Sequence, residues 1–173
     1  MPTSKNIVLF VGYPLDDAFI AVEELSKHLK KKLRIAFVYS KKAKPLTAAH
    51  KKRADFLFPV DTKNLASVER TIMPIIDQVI VVNCRSVFYM PLYAKMITMF
   101  PHLVMPTRDS IEATSNKLIM RRKFRRYFPG ISPKFTSAHG GTKEDVAKVK
   151  KYVGFPCVVK PASLAASRLV SIC

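Results

Sequence analysis

Acidic residues are scarce in this chain: 12 Asp and Glu stand against 30 Lys and Arg, giving a formal net charge of +18 over 173 residues. Such an excess creates a long-range field that attracts polyanions, with nucleic acid as the obvious candidate. The basic residues nevertheless fall into separate clusters, Lys27 to Lys32, Lys41 to Arg53, Arg121 to Arg126 and Lys143 to Lys151. They are not interleaved with aromatics, and no zinc-finger, KH or RNP pattern is present. Glycine is also scarce, at five. The turn after the first apolar run holds Gly12 alone, so the GxGxxG fingerprint of a dinucleotide site is lacking. The three cysteines, Cys84, Cys157 and Cys173, are odd in number and share no metal-type spacing. They read as thiols of a reducing compartment, with no zinc expected. Long apolar runs are missing as well. The most apolar window, Val87 to Phe100, is short and carries Lys95, which argues against a membrane span. The N-terminus enters a strand without an h-region or a small-residue cleavage site, so the expected location is cytoplasmic.

What is present is enough apolar material for a core, 49% of residues. Residues 7 to 11 (IVLFV) read as a strand ending in the tight Gly12-Tyr13-Pro14 turn. Asp16 is placed to cap a helix running to about Lys31, with Phe19, Ile20, Val22, Leu25 and Leu29 inward. Leu33 to Tyr39 is a second strand, Lys41 to Arg53 a basic connector and Phe56 to Phe58 a third strand. A helix from Asn64 to Ile76 should break its last turn at Pro74. Gln78 to Asn83 is expected as a fourth, buried strand, Tyr89 to Phe100 as a helix and Leu103 to Met105 as a last strand. Continuous apolar strands alternating with amphipathic helices predict a small doubly wound α/β domain over 1–106, its parallel sheet covered on both faces. The pair Asp16/Asp17 is explained most simply as helix capping. Open α/β sheets bind ligands at the carboxyl ends of their strands. By that rule Gly12 to Pro14 and Asn83 to Ser86 face a substrate, and Arg85 is the cation there that meets a carboxylate.

Residues 107–173 read as a second domain. A short helical turn, Arg108 to Thr114, leads to Ser115 or Asn116 as N-cap of a basic helix that stops at Pro129-Gly130. Its apolar set is Met120, Phe124, Tyr127 and Phe128, while Arg122, Lys123, Arg125 and Arg126 read as a solvated basic face. Lys134 to Thr136 is expected as a strand, and Lys143 to Val153 as an amphipathic helix with Glu144 and Asp145 in its first turn. His139 is assigned no chemistry. The final stretch, GFPCVVKPASLAASRLVSIC, reads as a buried strand (Cys157 to Val159) that delivers Lys160 to a loop of small residues and then a second strand. A lysine point charge beside such a loop suits a polyphosphate.

These last residues resemble the nucleotide-binding hairpin of ATP-grasp ligases, in which a GFP or GYP turn precedes a strand ending in Lys-Pro and a phosphate-covering loop. The loop is poor in glycine, closer to amino-acid-ligase-like members than to biotin carboxylases. SNKLIMRRKFRRYFPGISPKF is similar to the family's earlier passage, whose Asp-Lys or Asp-Arg pair reaches the phosphates from the other side; Asn116 stands at the acidic position and leaves Lys117 in register. The resemblance implies a Rossmann-like preceding domain followed by a partial α+β small lobe. It implies ATP as the nucleotide, with Lys117, Lys160, Ser163 and Ser167 on its phosphates. A small carboxylate would be activated as an acyl phosphate for attack by an amine, with Mg²⁺ ligands expected only beyond residue 173 and no metal ligand nameable here. The charge excess then reflects a front portion whose acidic counterpart lies elsewhere, and such a portion is expected to be nearly inert alone. The competing class is a basic nucleic-acid-binding module without catalysis. A non-catalytic domain that only assembles with a partner subunit, or as a homo-oligomer, is a third.

Overall fold

The structure is a computed structural model and describes residues 5–163 and 169–173. The chain divides into two units, Met1–Arg108 and Asp109–Cys173. In the first, four strands, β1 (Ile7–Val11), β2 (Arg34–Ser40), β3 (Phe56–Val60) and β4 (Val79–Asn83), form one parallel sheet in the order β3-β2-β1-β4. Helices α1 (Asp16–His28), α2 (Ala48–Arg53), α3 (Leu65–Ile72) and α4 (Met90–Met96) alternate with the strands. This is the α/β class that the apolar alternation predicts.

Strand side chains alternate between the two faces of a sheet. On one face Val8, Phe10, Ile35 and Phe37 pack with Ala18, Phe19 and Val22 of α1. The rings of Phe10 and Phe19 lie 5.2 and 5.3 Å from that of Phe37. Residues of the opposite parity, Ile7, Leu9, Val11, Ala36 and Val38, are equally buried, as are Val68 and Ile72 of α3 and Leu92 and Met96 of α4. Both faces are thus covered, which is why β1 and β2 lack polar residues at inward positions.

Several expectations need correction. Asp16 is the first residue of α1 rather than its cap; Leu15 holds the cap position and makes no side-chain bond there. Ile20 is exposed because it points away from the face that Ala18, Phe19 and Val22 define, and Leu29 is exposed because it is the C-cap, past the last residue of α1. The basic connector contains α2, nucleated by Thr47, whose hydroxyl accepts from the His50 N–H at 3.2 Å. Pro74 ends α3 as expected, and a 3-10 segment, Met73–Gln78, follows. Strand β4 is only partly buried because it is a sheet edge, with Val81 exposed. The segment Leu103 to Met105 is not a strand. Val104 is fully exposed, and prolines 101 and 106 bracket the segment, so no sheet face rewards extension there.

The second unit holds α5 (Arg108–Ser115, beginning at the division), α6 (Lys117–Tyr127), α7 (Lys143–Tyr152) and an antiparallel ribbon of β5 (Val158–Val159) and β6 (Ser171–Ile172). Residues 134–136 form no strand; Phe135 packs against Arg125 of α6 instead, with the guanidinium 5.3 Å from the ring centre. The hairpin strand expected to be buried is exposed beyond Cys157, with Val158 and Val159 at 59% and 47%. A ribbon of two two-residue strands has no second layer to cover its faces. Likewise α6 buries no residue, and Phe124, Tyr127 and Phe128 of its apolar set are exposed.

The turn before α7 is organised by one carboxylate. Asp145 accepts from the backbone N–H groups of His139, Gly140 and Gly141 at 3.0, 3.0 and 3.2 Å, while its own N–H donates to the Thr142 hydroxyl at the N-cap. These bonds, led by that from His139, hold the Asp145 carboxyl below its ordinary value. A depressed carboxyl stabilises the fold above the ordinary carboxylate pKa, and that contribution is lost as pH falls through the depressed value. Asp145→Ala therefore lowers the melting temperature of the chain at neutral pH. The gap from wild type closes as the pH is lowered below the ordinary carboxylate pKa of about 3.9. Melting curves followed by circular dichroism from pH 7 downwards check this, and a gap independent of pH would contradict it.

Candidate functional site

The two segments that carry the candidate phosphate lysines meet in the second unit. The Lys117 N–H donates to the Ala162 carbonyl at 2.8 Å. Asn116 Nδ2 also reaches the Ser163 hydroxyl, at a long 3.5 Å. Lys160 precedes Ala162 by two residues, a span of at most about 7 Å of extended chain. The backbone therefore brings Lys117 to the same place as Lys160 and Ser163, although it lies 43 and 46 residues from them in the sequence. Lys160 is exposed and has no carboxylate partner among the described residues. Ser167, the remaining phosphate candidate, lies outside the described residues.

The start of α6 shows why side chains must supply the charge here. A helix leaves its first four N–H groups without intrahelical partners, and such ends commonly bind anions directly. In α6 all four are taken by the protein. The Asn116 N–H donates to the Glu112 carbonyl at 2.9 Å, that of Lys117 to Ala162, and those of Leu118 and Ile119 to Asn116 Oδ1 at 3.0 and 3.2 Å. No amide remains for a phosphate. Asn116 caps as well as the family's acidic residue would, since either side chain offers the accepting oxygen. With Asn116 as cap, Lys117 is the first residue of α6.

Arg85 sits, as expected, at the carboxyl ends of the strands in the first unit. It borders a cavity of about 20 Å³ together with Gly12, Tyr13 and Ser86. Its guanidinium is paired with Asp17 at 2.6 Å, while Asp16 lies 3.6 Å from Arg53. The aspartate pair therefore serves ion pairing as well as the helix's first turn. Gly12 adopts φ +144°, and a β-carbon there would lie 3.7 Å from the Tyr89 ring and 3.8 Å from Ser86. The glycine lets the chain turn sharply off β1 beneath the segment that follows β4.

Burial pushes the Cys84 thiol up, against a smaller opposing effect of its bond to the Ser86 carbonyl, so it is a poor nucleophile. Among the described residues no three His, Cys, Asp or Glu side chains gather to hold a metal ion. No helix among them is long and apolar enough to cross a membrane.

Sequence reasoning named both lysines as candidates but did not reveal the bond that joins their segments. The Ala162 carbonyl is a backbone group, and nothing in the side-chain pattern marks it.

No protein-family profile matches the chain, and no curated protein matches it significantly. Solved structures do. The chain is similar to the biotin carboxylase domain of the Hydrogenobacter thermophilus 2-oxoglutarate carboxylase, determined as a dimer in complex with MgADP, ADP and bicarbonate. The TM-score is 0.58 at 17% identity, over 95% of this chain and 37% of that one. It is also similar to the biotin carboxylase domain of a single-chain bacterial carboxylase, with TM-score 0.47 at 16% identity, over 84% of this chain and 34% of that one. The chain thus spans little more than a third of the length of the structures it matches. Its fold is similar to that of the corresponding part of this first biotin carboxylase domain. The glycine-poor loop had pointed to amino-acid-ligase-like members instead; residues 164–168 of that loop lie outside the described residues.

Proposed function

We propose that this chain is the ATP-binding front portion of an ATP-grasp ligase, with residues 1–106 as its preceding domain and 107–173 as the start of its nucleotide-binding domain. The observation that carries this reading is the backbone tie between Lys117 and Ala162, which sets the Lys117 and Lys160 segments side by side. The fold likeness to a domain complexed with MgADP supports it. Lys117 and Lys160 act as two point charges on the phosphates, and the Ser163 hydroxyl donates a further hydrogen bond. ATP, when bound, supplies the phosphoryl group that turns a small carboxylate into an acyl phosphate for attack by an amine. The neighbouring structure is in complex with bicarbonate, a small anion of similar chemistry. The lysines' work is electrostatic: they sit where negative charge collects on the transferred phosphoryl group. The described residues do not fit a magnesium site, so no step is assigned to the metal here. Arg85 meets the substrate carboxylate only by exchanging its bond to Asp17, an exposed pair that is easily replaced.

The alternative, a nucleic-acid module, draws no support from the fold likeness. Titration of the whole chain with ATP separates the two. The ligase reading predicts saturable binding that adenosine does not share, because the charges face phosphates. Binding that never saturates and collapses with a steep salt slope would overturn it.

A further inference from the structure

We propose that the cleft between α6 and residues 135–137 is a second anion site, built for a compact ligand carrying two or more phosphate groups. It does not depend on the ATP reading, because neither Lys117, Lys160 nor Ser163 lines it. The cleft has a volume of about 340 Å³ and is bordered by Arg122, Arg125 and Arg126 on one side and by Phe135, Thr136 and Ser137 on the other. That volume lies in the range of small-ligand sites.

Residues at i, i+3 and i+4 share one face of a helix, so the three guanidinium groups are neighbours by construction. Two of them are held by aromatic rings. Arg125 lies 5.3 Å from the centre of Phe135, and Arg126 lies 5.6 Å from that of Tyr127. Behind the lining, the Lys148 ammonium donates to the Ser137 carbonyl at 2.9 Å and so ties α7 to this segment. Among the described residues no carboxylate pairs with any of the three arginines. Like charges at this spacing weaken a helix, and a polyanion in the cleft relieves that.

The chemistry favours phosphate groups. Guanidinium forks bind tetrahedral oxyanions through paired N–H donors, and three forks on one face serve more than one such group. The half-buried Thr136 and Ser137 supply hydroxyl donors at the floor. The Phe135 ring is engaged by Arg125, so a base stacking on that face would displace the guanidinium.

The test is calorimetric titration of the whole chain with inorganic pyrophosphate, carried out in a Lys160→Ala background so that the other lysine site is weakened. Saturable binding persists in that background. Adding Arg122→Gln and Arg125→Gln lowers the affinity at least about tenfold, the loss expected for two charge-assisted contacts. Adding Lys41→Gln and Lys42→Gln instead changes it by less than about twofold, since only diffuse charge is removed. The arginine-to-lysine pair keeps the charge but loses the forks. It weakens binding several-fold, and it decides the matter if the glutamine pair fails to fold. Unchanged affinity in the arginine variants, or no pyrophosphate binding once Lys160 is replaced, would overturn the proposal. Equal weakening by every basic-cluster variant with a steep salt slope would overturn it too, and would indicate a nucleic-acid surface.

Discussion

Replacing Lys160 with alanine weakens ATP binding by the whole chain about tenfold, while Lys44→Ala changes it less than about twofold. Hydrogen bonds to charged groups contribute about 1.5–3 kcal/mol, and 1.4 kcal/mol is a factor of ten. Lys160 is exposed, so water screens its charge and the lower end of that range applies. Lys44 removes the same formal charge but lies in the first unit, its ammonium 5.0 Å from the centre of the Tyr13 ring. The pair of variants therefore separates a local contact from the general field of a chain with net charge +18. Neither variant should unfold the protein, since both side chains are exposed and surface substitutions usually shift stability by less than about 0.5 kcal/mol. Equal loss in both would mean that ATP is attracted only by the overall charge.

The second large effect is on stability. Phe37→Ala destabilises the first unit by about 3–5 kcal/mol, the cost of a large cavity in a close-packed core. Phe37 is 1% exposed and stands between Phe10 and Phe19, so its removal strips contacts from both β1 and α1. The surrounding aromatic rings are too rigid to collapse into the space. Urea denaturation followed by circular dichroism measures the loss. A change below about 1 kcal/mol would show that the sheet and α1 do not share one core.

The first unit was largely legible because its signal is dense. Runs such as residues 7–11 and 79–83, separated by amphipathic stretches, leave few choices besides a parallel sheet, and the sheet formed as read. The errors fell where the local signal is short. Leu103 to Met105 has strand-like residues but no partner strand, and α2 depends on a Thr47 cap inside a stretch that reads as charge. In the second unit the sequence gives composition without packing. The apolar residues of α6 look like a core face, yet none is buried, and the arginines read as solvated border a cleft. Lys117 and Lys160 were legible as candidates because of the residues around them. That their segments lie together was expected only from the family resemblance; the bond that joins them was not legible, because no side-chain pattern encodes a backbone carbonyl.

A double-mutant cycle on the ATP dissociation constant, with Lys117→Ala, Lys160→Ala and both together, tests most directly whether these two amines serve one triphosphate. If they do, each single variant weakens binding and the combined loss departs from the sum of the two by about 0.5 kcal/mol or more. A Lys117→Ala variant that binds ATP like the unaltered chain, or two losses that simply add, would contradict it.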